Sequence, residues 1–358
     1  MIRVAISTVM IATTFLACGS SPWGSSAEAQ DRKGADPRED AIARAQVWSP
    51  TKIAAADIKR GPARPDSFAF RATIECDYLP KQLSGASPKF ACLLGEEDEL
   101  KVKYGGTNAE VYAEVAATRL LWALGFASDQ VYPVRVICRK CPSTLAGMAR
   151  ENDQWVFDPA VVERKLPARE LGEEGWSWRE LEAVREEAGG APRAHRDALK
   201  LLAVMLQHTD TKPQQQRLIC LDDAPKDSEK CAKPMMMLND VGLTFGRANT
   251  FNGNDKAMNL AAWTATPVWK DDATCVGNLP KSFTGTLDNP VISEAGRKFL
   301  AGLLNQLTDA QLTALFDVAR VSLRLRDPGK ARSGFASTQE WVDAFKQKRT
   351  EITNRRCA

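Results

Sequence analysis

Carboxylate, ammonium and amide side chains come together in residues 208–215, whose sequence is His-Thr-Asp-Thr-Lys-Pro-Gln-Gln. A carboxylate such as Asp210 can orient a hydroxyl group or accept its proton, and an ammonium such as Lys212 can neutralise a phosphate. The amide oxygen of Gln215 is of the kind that binds hard divalent cations. A second carboxylate, Asp240, follows an apolar run. These residue types suit the transfer of a phosphoryl group to a hydroxyl.

Alternating apolar residues predict three strands in the first part of the chain, over residues 68–78, 90–94 and 100–104. Because side chains alternate between the two faces of a strand, the third strand directs Lys101 and Lys103 to the face opposite its apolar residues. The two lysines alone are also compatible with a solvated strand face.

A helix is predicted directly after the third strand. Residues 107–110, Thr-Asn-Ala-Glu, have the pattern of a capping box, and the helix is expected to end at Gly125. In this interpretation Glu110 is the capping acid. Glu114 borders the apolar stripe of the helix, where a carboxylate needs a charged partner because burying it alone is costly. Lys103 is the candidate partner.

The rest of the chain changes from strands to helices. Strands are predicted at residues 131–137 and near 155–157, followed by an apolar segment at 160–162. Amphipathic helices are predicted over residues 193–207 and, each with a capping box, from Thr308 and from Ser337. The pattern predicts an α+β chain with a β-rich N-terminal lobe over residues 67–165 and a mostly helical C-terminal lobe over 166–358.

The stretch around Asp210 resembles the catalytic loop of protein kinases, with Gln215 where those enzymes have asparagine. The resemblance implies a bilobal kinase-like fold in which Asp210 orients the acceptor hydroxyl and Lys212 contacts the transferred phosphate. The Asp-Val-Gly sequence at Asp240 resembles the metal-binding motif of kinases. It implies that Asp240, with Gln215, holds Mg²⁺ or Mn²⁺ bound to ATP or another nucleotide.

Further segments resemble HipA-like kinases, and the matches run in kinase order from about residue 83 to 246. Lys103 and Glu114 match the ion pair that grips the nucleotide. Residues 84–89 resemble the phosphate loop, which implies nucleotide contacts for Ser87 and Lys89. Residues 161–165 resemble the hinge that meets adenine, which adds Glu163.

The sequence also departs from the kinase pattern. It contains no Gly-x-Gly-x-x-Gly loop and no Ala-Pro-Glu signature, and Thr209 replaces the arginine that usually precedes the catalytic aspartate. Control by activation-loop phosphorylation of the usual kind is therefore not expected. Gln215 is one methylene longer than asparagine, and Gln214 or Gln216 are alternatives for its role.

The N-terminus predicts export. Arg3 precedes an apolar segment at residues 4–16, as in a secretory signal, so residues 1–29 are assigned to a signal peptide or lipoprotein signal. Cys18 lies in a sequence that resembles a lipoprotein box, and an Ala-x-Ala cleavage site follows at residues 27–29, so a lipid anchor and a released protein both stay open. Residues 30–66 are assigned to a linker in which only 48–58 dock.

Eight cysteines remain after Cys18, and an even number in an exported chain predicts disulfides. Local arguments favour Cys76 with Cys92, which lie on neighbouring predicted strands, and Cys220 with Cys231, which bracket a polar loop. The Cys-x-x-Cys motif at residues 138–141 favours a structural crosslink over a zinc or redox site.

The charge balance of 48 basic and 45 acidic residues gives no argument for a nucleic-acid partner, and none is expected. No internal apolar stretch is long enough to span a membrane, and a monomer is expected. The leading hypothesis is an exported atypical kinase of the HipA-like or secretory-pathway kind, acting on a hydroxyl acceptor in the periplasm or cell envelope or outside the cell. An inactive pseudokinase is the alternative, since the cell envelope holds little ATP. A thiol-redox protein based on Cys138 and Cys141 is the third hypothesis.

Overall fold

The computed structural model describes residues 36–145, 149–151, 154–222, 231–248, 251 and 257–357. The chain divides into two units, Met1–Ala35 and Asp36–Ala358. The predicted signal at residues 1–29 lies outside the described residues, and all that follows concerns the second unit. Among the described residues, no helix combines the length and apolarity that a membrane crossing requires.

A closed five-stranded barrel forms the first half of this unit. The strands are β1 (Ala72–Leu79), β2 (Lys89–Leu94), β3 (Asp98–Tyr104), β4 (Gln130–Arg139) and β6 (Gln154–Arg164), and β5 (Ala149–Glu151) pairs with β6. They lie in the order β3-β2-β1-β4-β6, and pairing of β3 with β6 closes the barrel. Only β1 and β4 run parallel. The apolar segments expected at 155–157 and 160–162 belong to one strand, β6, rather than two.

The side chains of β3 alternate between the two faces of the strand, as its period-2 sequence pattern predicted. Leu100, Val102 and Tyr104 of β3 are buried in the barrel's hydrophobic core, together with residues such as Phe90 and Phe157. The two lysines on the other face of β3 therefore point out of the barrel.

Helix α2 (Glu110–Leu124) lies outside the barrel after β3. It ends as predicted at Gly125, whose φ of 90° is the left-handed conformation typical of a residue that terminates a helix. The predicted capping box is wrong. The N-cap residue is Ala109, no side chain caps the helix from that position, and Glu110 is engaged elsewhere.

The described part of the segment assigned to a linker is packed into the fold. Residues Pro37–Arg44 form α1, and Ala45, Val47 and Ile53 are almost wholly buried. A β-bridge joins Gln46 to Met235. Docking was expected only for residues 48–58, whereas the packed segment begins at α1.

The second half contains helices and a small sheet. The helices are α3 (Arg193–Leu206), α4 (Leu260–Ala265), α5 (Glu294–Leu304), α6 (Asp309–Val318) and α7 (Thr338–Asn354). The antiparallel sheet is formed by β7 (Arg169–Glu170), β8 (Gln216–Cys220) and β9 (Pro234–Leu238). The predicted capping boxes of α6 and α7 are confirmed. The molecule is thus a mixed α/β protein, and its division into two lobes at residue 165 stays a prediction.

Four disulfides join the eight cysteines of this unit. The two pairs favoured from the sequence, Cys76–Cys92 and Cys220–Cys231, are both present. Cys138–Cys141 and Cys275–Cys357 complete the set. The Cys-x-x-Cys motif is therefore a crosslink in this structure.

Candidate functional site

Asp210 lies in a loop between α3 and β8. Gln207 ends α3 with a φ of 53°, so the chain reverses there and residues 208–215 run toward β8. The Oδ2 atom of Asp210 accepts hydrogen bonds from Nζ of Lys212 (3.0 Å) and from Nε2 of Gln215 (2.6 Å). Its Oδ1 atom is buried without a hydrogen-bond partner. The three residues predicted to act together are in contact, and one carboxylate oxygen remains for another ligand.

Asp240 follows β9 and is tied to the same loop. The main-chain N–H groups of Asn239 and Asp240 donate to the carbonyl oxygen of Gln215, at 2.9 and 3.2 Å. The N–H of Gly242 donates to Oδ1 of Asp240 (3.1 Å). Because β8 and β9 are paired antiparallel, the start of one strand and the end of the other lie side by side. This pairing brings the two predicted motifs together.

Lys103 forms a buried ion-pair cluster with α2. Its Nζ atom pairs with Glu114, as predicted, and with Oε2 of Glu110 at 2.7 Å. Lys103 and Glu114 are each only 3% exposed. The assignment of Glu110 as a capping acid concealed its role as a second partner. Its position one helical turn before Glu114 was the available signal, because residues i and i+4 share a helix face.

Gly242 connects the two halves of the site. A Cβ atom at this position would lie 2.6 Å from Cγ of Glu110 and 3.1 Å from Oε1 of Glu114. The Asp-Val-Gly segment therefore packs directly against the acidic face of α2, and a side chain at position 242 would force Glu110 to shift. Asp240 is thereby brought into the electrostatic environment of Lys103.

These groups also influence one another's pKa values. Burial alone would raise the pKa of Asp240, but Lys103 and the Gly242 N–H outweigh it, and the pKa is lowered to about 2. Burial raises the pKa of Glu114 to about 8 against the attraction of Lys103, and Asp240 adds to the rise. Burial would lower the pKa of Lys103, but Glu114 and Asp240 raise it well above its usual value.

The turn at residues 84–89 reaches the same cluster. The hydroxyl of Ser87 donates to Oε2 of Glu110 (2.9 Å), and Nζ of Lys89 lies 3.5 Å from Oγ of Ser87. Burial and the charge of Lys103 lower the pKa of Lys89. Ser87 and Lys89 thus lie beside the Lys103 ammonium, where the kinase resemblance places nucleotide phosphates.

Glu163 acts on the Lys103 cluster through its charge. Its side chain forms an ion pair with Lys101. Its main chain, on β6, pairs in register with that of Val131 on β4. The side chain is therefore engaged within the protein. A contact with a nucleotide base at residues 161–165 would have to come from main-chain groups, as the resemblance implies.

His208 is a buried residue on which the charges of both aspartates act. It is 1% exposed, and neither ring nitrogen has a hydrogen-bond partner among the described residues. Burial lowers its pKa, while the charges of Asp210 and Asp240 oppose this. His208 is therefore a neutral packing residue, and both aspartates lie close enough to act on it.

Several oxygen atoms of this site are of the chemical kind that binds a hard divalent cation. Asp240 supplies a carboxylate and Gln215 an amide oxygen. Asn239, which sequence reasoning missed, also has a buried Oδ1 without a hydrogen-bond partner. Oxygen-only ligand sets favour Mg²⁺ and Mn²⁺ over softer metals.

Comparisons with known proteins give no family assignment. No protein-family model matches the chain, and no curated protein matches it. Among solved structures, the chain is similar to the proinflammatory kinase CtkA of Helicobacter pylori, with 10% identity, a TM-score of 0.38, and coverage of 78% of this chain and 94% of that one. It is also similar to a Golgi casein kinase solved with Mn/ADP, with 10% identity, a TM-score of 0.33, and coverage of 79% and 72%. At these values neither similarity assigns the chain to a family.

Proposed function

We propose that the protein is a kinase-like phosphotransferase that moves a phosphoryl group from a metal-bound nucleotide such as ATP to a hydroxyl acceptor. The observation that carries this proposal is the contact of Gly242 with Glu110 and Glu114. It joins the Lys103 cluster on the barrel to Asp240 and, through Gln215, to Asp210. The lysine ammonium, the carboxylates and the amide that phosphoryl transfer needs are thus present in one continuous set of contacts.

The nucleotide would bind at the barrel side of the site. Lys103, held by Glu110 and Glu114, would contact its phosphates, and Ser87 and Lys89 would add a hydroxyl and a second ammonium. A divalent cation held by Asp240 and Gln215 would neutralise charge on the phosphates. The lowered pKa of Asp240 keeps this carboxylate ionised at neutral pH, as a metal ligand requires.

Asp210 would act at the acceptor side. The acceptor hydroxyl oxygen forms a bond to the γ-phosphorus, and the bond from that phosphorus to the β,γ-bridging oxygen breaks. The nucleoside diphosphate leaves with the bridging oxygen, and the hydroxyl proton moves to Asp210. The unpartnered Oδ1 of Asp210 is available for this proton, and Lys212 lies beside it to stabilise charge on the transferred group.

Export is part of this proposal. All eight cysteines of the described unit are paired, and disulfides persist mainly in oxidising compartments. The pairing supports the signal inferred from residues 1–29, which leaves release and lipid attachment at Cys18 as alternatives.

The decisive measurement is nucleotide binding by an Asp240→Ala variant. We expect ATP with Mn²⁺ or Mg²⁺ to raise the melting temperature of the wild-type protein, and the variant to lose this shift because it lacks a metal ligand. Asp343→Ala, on the exposed face of α7, is the matched control and should keep the shift. An unchanged shift in Asp240→Ala would refute the proposed site. A turnover assay with radiolabelled ATP then separates an active kinase from a pseudokinase, which would bind without transfer.

A further inference from the structure

A compact loop, residues 279–289, lies next to the catalytic Asp210 and has not been given a role above. We call it the flanking loop. Its two ends are joined: the N–H of Asn289 donates to the carbonyl of Leu279 (2.9 Å), and the N–H of Leu279 donates to Oδ1 of Asn289 (3.2 Å). The loop is therefore closed on itself and presents its middle residues as a unit.

The flanking loop is bonded to the main chain on both sides of Asp210. The hydroxyl of Ser282 donates to the carbonyl of Thr209 (2.9 Å). The carbonyl of Thr211 accepts from the N–H of Thr286 (3.2 Å) and from its hydroxyl (2.7 Å). The position of the loop is therefore coupled to that of the catalytic carboxylate.

Close packing beneath the loop makes this attachment rigid. A Cβ atom on Gly285 would lie 2.7 Å from Oγ1 of Thr211, so glycine allows the close approach of the two segments. The N–H of Trp178, a fully buried residue, donates to Oγ1 of Thr286 (3.1 Å). Ser282 itself is only 2% exposed.

Phe283 projects from this fixed base into solvent. It is 83% exposed although the preceding residue is buried. Isolated apolar residues are common on protein surfaces and need no explanation by themselves. Phe283 differs because its neighbour in sequence is bonded to the residue that precedes Asp210. An exposed aromatic side chain on a loop bonded to the Asp210 segment buries its apolar area only when a ligand covers it.

A recess of about 300 Å³ adjoins the base of the loop. Pro280 and Asn278 line it from the loop side, Gln207 from the end of α3, and Arg247 and Ala248 from the segment that follows Gly242. The recess is large enough for an amino-acid side chain, and the flanking loop contributes Pro280 to it.

We propose that Phe283 determines acceptor specificity, and that the acceptor is a protein segment with a large apolar side chain close to its reacting hydroxyl. This inference rests on the phosphotransfer function proposed above. A small acceptor bound at Asp210 would leave Phe283 in water, whereas an extended polypeptide would pass over the flanking loop and cover it. Aromatic residues at the centre of such contacts commonly supply much of the binding energy.

The test is phosphorylation of a degenerate peptide library with Ser, Thr or Tyr at the central position, using ATP and Mn²⁺. We expect the wild-type protein to select apolar residues at one or more flanking positions. Phe283→Ala should lose this selection and about tenfold in kcat/KM for the selected peptide, while Phe283→Leu should retain most of both. Phe335→Ala is the control, since Phe335 is also exposed (61%) but pairs with Leu325 elsewhere in the fold.

The outcomes separate this inference from the proposed function. The KM for ATP and the hydrolysis of ATP without acceptor should be the same in Phe283→Ala and wild type. Unaltered peptide selection in Phe283→Ala would overturn the inference and leave phosphotransfer intact. Wild-type protein that hydrolyses ATP with metal but phosphorylates no peptide would also overturn it, by excluding a protein acceptor. Failure of the wild-type protein to bind nucleotide would refute both proposals.

Discussion

The ammonium of Lys103 is shared among several carboxylates, which gives the site a pH dependence. Glu110 and Glu114 contact it directly, and the charge of Asp240 also acts on it. One positive charge cannot stabilise all of these carboxylates equally. Asp240, which also accepts the Gly242 N–H, is held ionised, whereas burial of Glu114 favours its protonated form.

Glu114→Gln should flatten the pH dependence of stability. The folded-state pKa of about 8 lies above the ordinary value of 4.5, so the folded protein retains a proton that the unfolded chain releases between these values. The free energy of unfolding should therefore decrease as pH rises through this window, by up to about 1.4 kcal/mol per pH unit. Urea unfolding at pH 5, 6.5 and 8 measures the slope. The variant should show a smaller decrease, and Glu97→Gln, at an exposed turn, should keep the wild-type slope.

An identical slope in Glu114→Gln and the wild-type protein would show that Glu114 is ionised throughout. Lys103 would then stabilise Glu114 and Asp240 together. The proposed competition among carboxylates would be wrong.

Some residues of the site could be predicted from the sequence and others could not. Asp210, Lys212 and Gln215 are close in sequence, so their contact follows from local geometry. Glu110 was misassigned because a capping box and an ion pair use the same residue types, and only the position of Lys103 decides between them. Asn239 was missed because an amide next to an aspartate carries no distinctive spacing.

At the scale of elements, local periodicity predicted most strands and helices but not how they close. The strand pattern of β3 and the helical end at Gly125 depend on nearby residues alone. Closure of the barrel depends on pairing of Val102 and Lys103 with Val162 and Val161, which are distant in sequence. The sequences of β3 and β6 both have the pattern of ordinary half-buried strands, so the sequence does not distinguish a barrel from an open sheet.

For the N-terminal segment, residues 36–58, the sequence analysis predicted too little packing against the rest of the protein. The composition predicted a linker over residues 30–66 in which only 48–58 dock, yet Ile42 and Val47 are buried as well. Trp48 donates from Nε1 to the carbonyl of Leu124 (2.7 Å), and Ser49 donates from its N–H to that of Gly125 (2.9 Å). The segment therefore covers the end of α2, the helix that carries Glu110 and Glu114.

A chain that begins at Asp36 should fold, and one that begins at Lys59 should not. The second lacks the buried residues Ile42, Val47 and Ile53. Each contributes about 1.5–3 kcal/mol by burial, which together approaches the total stability of a typical domain. Circular dichroism during thermal unfolding compares the two chains. A cooperative transition of the shorter chain at the same temperature would contradict this role for the segment.

For the whole molecule, the four disulfides connect parts of the chain at very different separations. Cys138–Cys141 spans 3 residues, Cys220–Cys231 spans 11, and Cys275–Cys357 spans 82. The last joins the end of α7 to the chain just before the flanking loop. In addition, the N–H of Cys357 donates to Oε2 of Glu294 at the start of α5 (3.0 Å).

Removal of Cys275–Cys357 should destabilise the protein more than removal of Cys220–Cys231 or of Cys138–Cys141. Loop-closure entropy in the unfolded chain grows with loop length, which predicts losses of about 4.5 kcal/mol for this pair, about 3 for Cys220–Cys231 and about 2 for Cys138–Cys141. Paired Cys→Ser variants compared by urea unfolding give the ranking, and the two shorter links are its controls. Equal losses for all three pairs would contradict the entropic explanation. A larger loss at Cys138–Cys141 than at Cys275–Cys357 would instead indicate that the barrel, rather than the C-terminal helix, limits the stability of the fold.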